Sequence, residues 1–326
     1  MDKTAVVIMN LGGPDSLNAI EPFLKNLFSD RDIFKLPFGQ KLFASVISKR
    51  RAPKVAHEYE LIGGKSPINE WTELQRSGLE AELRDDLPGV DVITAMRYWH
   101  PLTSEAAQKV VDGNYDSVVL LPLYPHYSIT TTGSSFNEWN RVYKGDKSKV
   151  KMVRNYFTDP LYIKALNERI DECLLKFPED RRDRVNILFS AHGTPVSLVK
   201  NGDPYSGEIR NTMEVVMKMR SYSHNYHLSF QSKVGPVKWL EPATDDKLME
   251  LGSKGVKDVL VVPISFVSDH VETLFELDIE YRHNAEEAKI ENYIVMTGLN
   301  DSKTFVKCLA NLVKTELSGK KEILNP

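Results

Sequence analysis

The stretch VNILFSAHGTP, residues 185–195, shows how this chain folds and where its chemistry lies. It begins as a short apolar run of the kind that forms a buried strand. The strand leads straight into a glycine turn, which leaves His192 at its carboxyl end. An imidazole in that place can take a proton or bind a metal near neutral pH, although a core histidine hydrogen-bonded to a carbonyl has the same pattern.

Similar apolar runs recur along the whole chain. They lie at residues 5–11, 90–96, 117–122, 150–156, 227–231, 258–266 and 293–296. Stretches with helical spacing separate them, including 161–177, 245–252 and 270–288. This alternation predicts an α/β protein with parallel sheets covered by helices on both faces. About four strands in each half predict two similarly built α/β domains, residues 1–159 and 160–326, with the last helix able to pack back on the first domain.

The composition is that of an ordinary globular protein and excludes several functions. Of 326 residues, 41% are hydrophobic and 27% charged, and the net charge of −3 comes without a long basic block. We therefore expect no nucleic-acid partner. The two cysteines, Cys173 and Cys308, form no paired motif. Their spacing argues against a disulfide framework, a thiolate zinc site or a cysteine-ligated iron-sulfur cluster.

The sequence shows neither a signal peptide nor a membrane span. The first apolar run, residues 5–9, is too short for a signal peptide. No later stretch approaches the roughly 18 uncharged apolar residues that a span requires. We therefore expect a cytoplasmic protein, and a peripheral contact with the inner face of the membrane stays open.

Three acids, Glu272, Glu276 and Glu280, follow a loop at the end of another predicted strand. Their four-residue spacing places them in one slowly drifting stripe on a helix. Carboxylates suit divalent cations, and one histidine with one or two carboxylates leaves coordination positions open, as handing a metal onward requires. The same pattern also fits a capped helix start at Asp269, followed by a solvated acidic face.

Two further loops have structural explanations when they are taken alone. The sequence NLGGPD at 10–15 is a glycine turn without the spacing of a dinucleotide fingerprint. The hydroxyl-rich run at 130–135 would suit a polar ligand, but such runs commonly cap the next helix. The residues alone therefore predict a two-domain α/β enzyme with a crevice that holds histidine and glutamate.

Eight segments together resemble the ferrochelatases, which insert ferrous iron into a porphyrin late in heme synthesis. They stand in family order and are NLGGP at 10–14, IGGKSPI at 62–68, MRYWHP at 96–101, YPHYS at 124–128 with TTTGSS at 130–135, SAHGTP at 190–195, GDPY at 202–205, QSKVGP at 231–236 and FVSDHVETL at 266–274. The resemblance implies a lyase with the class II chelatase fold, in which two Rossmann-like domains, each a four-stranded parallel sheet flanked by helices, have a porphyrin cleft between them.

The resemblance also implies roles for individual residues. His192 and Glu272 would be catalytic, would face each other across the macrocycle centre and would both meet the metal. Glu276 and Glu280 would continue an acidic path for the metal. The implied porphyrin contacts are Leu11 in the first loop, Arg51, Tyr59, Ser66 and Tyr205 near the propionates, and Arg97, Tyr98 and Trp239 along the ring.

The implied chemistry agrees with these residue types. A free porphyrin is planar and carries two N–H protons, so the ring must be bent and both protons removed before a metal enters. A neutral His192 that accepts protons on one face, with carboxylates that hold iron loosely on the other, meets this need. His192 as an iron ligand is equally compatible with an imidazole, and the sequence leaves the choice open.

Departures from the family pattern narrow the prediction. Some ferrochelatases bind an iron-sulfur cluster through a C-terminal cysteine set, whereas this chain has only Cys308 in that region. Coproporphyrin-type relatives typically place a tyrosine in the first loop, where this chain has Leu11. We therefore expect no cluster and no tightly bound cofactor, with Fe2+ as a substrate. Protoporphyrin IX is the expected porphyrin, giving protoheme and two protons, and coproporphyrin III is the alternative.

Two other functions fit parts of the pattern. A non-catalytic heme- or iron-binding carrier on a two-domain crevice predicts an export signal, which is absent from this sequence. A cobalt or nickel chelatase of tetrapyrrole metabolism would use similar ligands, but the full set of motifs disfavours it. Beyond porphyrin and iron, the partners that stay open are a membrane surface and the preceding enzyme of the heme pathway.

Overall fold

The computed structural model describes residues 3–34, 36–233 and 236–319, and within them the chain forms two parallel sheets. The strands are β1 (Thr4–Asn10), β2 (Val90–Met96), β3 (Ser117–Pro122), β4 (Val150–Met152), β5 (Asn186–His192), β6 (Tyr226–Gln231), β7 (Asp258–Pro263) and β8 (Asn292–Val295). The first sheet has the order β2-β1-β3-β4 and the second β6-β5-β7-β8. All their pairings are parallel, so the predicted α/β class with two four-stranded parallel sheets is confirmed.

Helices alternate with the strands as the spacing predicts. The α-helices are α1 (Ile20–Ser29), α2 (Gln40–Glu60), α3 (Ile68–Leu83), α4 (Thr103–Gly113), α5 (Ser134–Val142), α6 (Pro160–Leu174), α7 (Val196–Lys200), α8 (Tyr205–Met219), α9 (Thr244–Ser253), α10 (Tyr281–Glu287) and α11 (Lys303–Ser318). Shorter or wider turns are the 3-10 helices Leu17–Ala19, Lys147–Lys149 and Glu179–Arg184 and the π-helices Ile129–Gly133 and Glu272–Glu280. Across the described ranges, none of these helices is long and apolar enough to cross a membrane.

The described residues fall into two compact units. One contains the residues up to Tyr156 together with those from Asn300 onward, and the other is Phe157–Leu299. In the first unit, α11 packs on α3 and β3. The domain limits 1–159 and 160–326 stay a prediction.

One inner strand of each sheet, β1 or β5, leads to a candidate site residue at its carboxyl end. Every residue of β1 is buried, as is all of β5 except His192, which explains why both strands read as continuous apolar runs. In the first sheet, β2 lies on one side of β1 and β3 on the other. In the second sheet, β6 and β7 flank β5 in the same way. The carboxyl end of such a strand is the topological switch point where open sheets bind ligands. Leu11 and His192 lie at these points, each in its own unit.

Two predicted strands are shorter than their apolar runs. In the run 258–266, β7 ends at Pro263. The run 150–156 predicts seven residues of strand, but β4 ends at Met152, paired with Leu120 of β3. Neighbouring β3 ends at Pro122, which has no N–H to donate to a longer ladder.

Candidate active site

His192 is the last residue of β5, and the surrounding backbone fixes its position. Gly193 N donates to Gln231 O at 2.8 Å, and a Cβ on Gly193 would lie 2.5 Å from that oxygen. Only glycine allows so close an approach between the two chains. His192 N donates to Ser265 Oγ at 2.9 Å, and the Tyr205 hydroxyl donates to His192 O at 3.0 Å. The imidazole is therefore presented from a rigid strand end.

The imidazole of His192 is hydrogen-bonded to a carboxylate. Its Nδ1 lies 3.0 Å from Glu272 Oε2, and the two side chains are 38% and 29% exposed. Burial opposes the charged imidazolium, but the Glu272 carboxylate outweighs it and raises the pKa of His192. Burial also opposes the charged carboxylate, yet the charge and hydrogen bond of His192 hold the pKa of Glu272 well below its usual range. Glu272 therefore raises the basicity of the His192 imidazole, which keeps part of its surface accessible.

This contact corrects one implication of the family resemblance. A planar ring between two groups needs a gap of about 7 Å, because each van der Waals contact spans about 3.5 Å. His192 and Glu272 are only 3.0 Å apart at their nearest atoms. The expectation that they face each other across the macrocycle is therefore wrong for this structure, and the two side chains form one hydrogen-bonded pair.

Glu272 also contacts a second imidazole that the sequence analysis did not assign to the site. His270 Nε2 lies 3.5 Å from Glu272 Oε2, and His270 Nδ1 lies 3.1 Å from Ser268 O. Another side chain caps the start of the helical segment, since His270 N donates to Thr273 Oγ1 at 3.1 Å. Glu272 thus faces the imidazoles, which separates it from the capping explanation of its spacing.

The acidic segment is a π-helix where its spacing predicts an α-helix. Side-chain donors take up two of its carbonyl oxygens: the Tyr293 hydroxyl donates to Leu277 O at 2.8 Å, and Gln231 Nε2 donates to Glu272 O at 3.4 Å. These outside donors favour a wider turn over regular α-helical bonding. Tertiary contacts that the local sequence does not contain therefore set the geometry of the segment.

Glu276 is held by several donors of its own unit. Its carboxylate accepts from Ser232 N at 2.7 Å, Ser232 Oγ at 2.6 Å, the Tyr281 hydroxyl at 3.0 Å and Gln231 Nε2 at 3.3 Å. Burial and the nearby negative charge of Glu272 raise the pKa of Glu276 despite these bonds. Its side chain is consequently fixed to the end of β6.

The third acid of the stripe lies in a different environment. Glu280, at the end of the π-helix, is exposed, whereas Glu272 and Glu276 are partly buried. Over the described stretches 3–34, 36–233 and 236–319, no three or more His, Cys, Asp or Glu side chains are grouped so as to hold a metal ion. The assignment of His192 and the three glutamates to the metal stays a prediction.

The porphyrin residues expected in the first unit differ in accessibility. Leu11 and Arg51 keep part of their surface exposed. Tyr59 and Ser66 are only 3% exposed. Ser66 N donates to Pro14 O at 2.8 Å, so this serine holds the first loop in place.

The remaining expected porphyrin residues also divide into buried and accessible groups. Arg97 and Tyr98 are directed toward a buried carboxylate, that of Asp30. Trp239 is partly exposed and pairs with Pro195 beside the His192 turn.

Sequence reasoning missed several groups that complete the site. The interactions of His270 and Ser232 were not foreseen, although both residues lie inside the resemblance segments 266–274 and 231–236. Their presence in those segments was the available signal. Val234 and Gly235 of the second segment lie outside the described residues.

Two similarly ordered parallel sheets define a class II chelatase fold. SirB from Bacillus subtilis with Fe3+, a sirohydrochlorin chelatase, superposes with a TM-score of 0.58 at 12% identity, covering 98% of each chain. The ferrochelatase family model matches residues 3–317. The ferrochelatase of Geotalea daltonii is 48% identical over 96% of this chain and 98% of its own length. That of Aquifex aeolicus is 46% identical over 97% and 100%. The chain belongs to the ferrochelatase family, whose members are lyases of heme biosynthesis.

Proposed function

We propose that this protein inserts Fe2+ into protoporphyrin IX, forming protoheme and releasing two protons. The observation that carries the proposal is the 3.0 Å contact between His192 Nδ1 and Glu272 Oε2 at the end of β5. A base that is oriented by a carboxylate suits the removal of pyrrole protons, which must precede metal entry.

In the proposed reaction, neutral His192 accepts a pyrrole proton. Because Nδ1 is engaged with Glu272, the lone pair on Nε2 receives the proton. Glu272 stabilises the imidazolium that forms, as a carboxylate does for the histidine of a catalytic triad. Once this proton has passed to solvent, the second pyrrole proton follows the same route.

Fe2+ is the second substrate, and we propose that it approaches along the carboxylates of the π-helix. Exposed Glu280 would meet the ion first, and Glu272 would then hold it beside His192. Glu276 must give up hydrogen bonds from Ser232 to bind a cation, which weakens it as a ligand. Weak, oxygen-based ligation is what a site that passes its metal onward requires.

We propose direct porphyrin contact for the expected residues that keep exposed surface, which are Leu11, Arg51 and Trp239. The more buried ones would support these contacts, and they are Tyr59, Ser66, Arg97, Tyr98 and Tyr205. An apolar Leu11 favours protoporphyrin, since coproporphyrin III carries four propionates that each need a polar partner when they leave water.

A peripheral membrane contact is also part of the proposal. Phe38, Leu42 and Val46 are 89%, 72% and 61% exposed, and the last two lie one helical turn apart on α2. Exposed Lys41 and Lys49 flank this apolar patch, a combination that suits an anionic lipid surface. Wild type should sediment with phosphatidylglycerol vesicles and a Leu42→Glu variant should not. Equal sedimentation of both proteins would contradict the contact.

An anaerobic assay tests the proposed function. Purified protein, protoporphyrin IX and ferrous iron or zinc should give metalloporphyrin over many turnovers. The change in the absorbance bands of the porphyrin measures this product. Binding of one porphyrin per protein without turnover would indicate a carrier and contradict the proposed enzymatic activity.

A further inference from the structure

Asp30 is a buried carboxylate that no step of the proposed reaction uses. It directly follows α1, and its side chain has 0% exposure. Its Oδ2 accepts from the Tyr98 hydroxyl at 2.7 Å and from Ser134 Oγ at 2.5 Å, and it lies 3.0 Å from Arg97 Nη2. A fully buried charge persists only with such pairing. Asp30 therefore joins the end of α1 to the end of β2 and the start of α5.

Arg97 is committed to the same cluster. Besides the ion pair with Asp30, its Nε donates to Ser134 Oγ at 2.8 Å, and its guanidinium lies 5.0 Å from the centroid of the Tyr98 ring. The Arg97 side chain is 11% exposed. Its donors are thus directed into the protein, away from the ring contact that the family resemblance implies.

The end of α1 also supports α2. Phe28, two residues before Asp30, is buried, and its carbonyl oxygen accepts from Gln40 Nε2 at 2.7 Å. The guanidinium of Arg51 lies 5.8 Å from the centroid of the Phe28 ring. A cation over an aromatic face is attracted to it, so the place of Phe28 influences the place of Arg51.

We propose that Asp30 is a positioning residue for porphyrin binding: it anchors the end of α1 so that Phe28 holds Arg51 in place, and Arg97 is its buried counter-ion. The proposal rests on the proposed function in one respect, the porphyrin contact of Arg51. It assigns Arg97 a role through Asp30 that differs from direct contact with substrate.

A double-mutant cycle separates these two roles of Arg97. If Arg97 acts through Asp30, the variants Asp30→Asn, Arg97→Gln and the double variant should share one defect, a porphyrin KM raised about tenfold with kcat nearly unchanged. If Arg97 touches the porphyrin by itself, the two single effects should multiply. Arg97→Gln leaves Asp30 as a buried charge without its counter-ion, whereas Asp30→Asn leaves Arg97 with Glu138 at 3.8 Å. The double variant removes the buried charge of Asp30, so a folded protein is available for the comparison.

A second measurement needs no porphyrin. Amide hydrogen exchange of α2 in the ligand-free protein should accelerate in Asp30→Asn, since loss of the anchor loosens the helix. Asp32→Asn is the matched control, because Asp32 binds Arg141 and Asn137 closer to the surface and its loss should leave both KM and exchange near wild type.

The two readouts fail separately. Suppose that the wild-type protein turns over porphyrin. Unchanged α2 exchange in Asp30→Asn, or single-variant KM effects that multiply in the cycle, would then overturn the positioning role alone. A wild type that does not turn over porphyrin would overturn the proposed function, and the role of Asp30 in it as well.

Discussion

Ser232 donates both its backbone N, at 2.7 Å, and its Oγ, at 2.6 Å, to the carboxylate of Glu276. The φ angle of Ser232 is +64°, a left-handed conformation that is unfavourable for a residue with a side chain. The carboxylate therefore compensates for backbone strain next to the candidate site. This arrangement resembles the strain that proteins store where a functional group must be held.

We expect Glu276→Ala to destabilise the protein by about 1 to 3 kcal/mol, because its partly buried donors lose their acceptor. Glu276→Gln should cost less, since the amide oxygen still accepts. Urea denaturation measures both, and exposed Glu280→Gln is the control that should stay near wild type. An unfolding free energy for Glu276→Ala equal to wild type would show that these hydrogen bonds do not stabilise the fold.

Glu272→Gln should lower turnover at least about tenfold and move the pH profile. The acceptor must be neutral, so activity rises with pH through the pKa of His192, which Glu272 raises. Without the carboxylate that limb of kcat/KM should shift to lower pH. Asp278→Asn removes a charge from the same π-helix and should leave the profile in place. An unshifted profile for Glu272→Gln would show that the Glu272 carboxylate does not control the pKa that limits activity.

The ion pair should also make stability depend on pH. The raised pKa of His192 gives stability that is full below about 6.5 and is lost as the pH rises through the folded-state value. The lowered pKa of Glu272 gives stability that is present above about 4.5 and is lost as the pH falls through its folded-state value. The difference in Tm between wild type and His192→Gln should therefore be larger near pH 5.5 than near pH 9.

An exposed histidine provides the control for that experiment. His283→Gln changes the same residue type at an exposed position, and its Tm difference should vary little over the same range. A Tm difference for His192→Gln that stays constant or grows toward pH 9 would contradict the ion pair.

Substrate choice should depend on Leu11. We expect wild type to show a higher kcat/KM for protoporphyrin IX than for coproporphyrin III in the same detergent with the same metal. Leu11→Tyr should reduce this preference, because a phenol offers a polar group where leucine offers an apolar surface. Equal or reversed preference in the wild type would move the chain to the coproporphyrin branch.

The sequence predicts β3 residue for residue, as the run 117–122, because this strand lies inside its sheet and is buried from Val118 onward. The run 90–96 also matches β2, although β2 is an edge strand whose Asp91 is exposed. In a central parallel strand the burial requirement acts on consecutive residues, so a local pattern is enough. The turn at His192 could be located for the same reason, since it directly follows such a run.

Long-range polar contacts were beyond the sequence pattern. Asp30 and Tyr98 are 68 positions apart, and no periodicity links a carboxylate after one helix to a phenol after a strand. The π-helix of 272–280 likewise depends on donors from other elements, including Tyr293. Sequence spacing placed the acids on one segment but could not show that Glu276 is bound to Ser232 and Glu272 to His192.

Anaerobic turnover of His192→Ala tests whether His192 accepts the pyrrole protons. We expect this variant to bind protoporphyrin and keep the wild-type fold, yet to lose nearly all formation of metalloporphyrin from protoporphyrin and Fe2+, because the imidazole that accepts the pyrrole proton is gone. Porphyrin binding and circular dichroism on the same sample show that the loss is chemical. Retention of more than about a tenth of wild-type turnover, a loss below about 1.4 kcal/mol in transition-state stabilisation, would contradict the role of His192 as the proton acceptor.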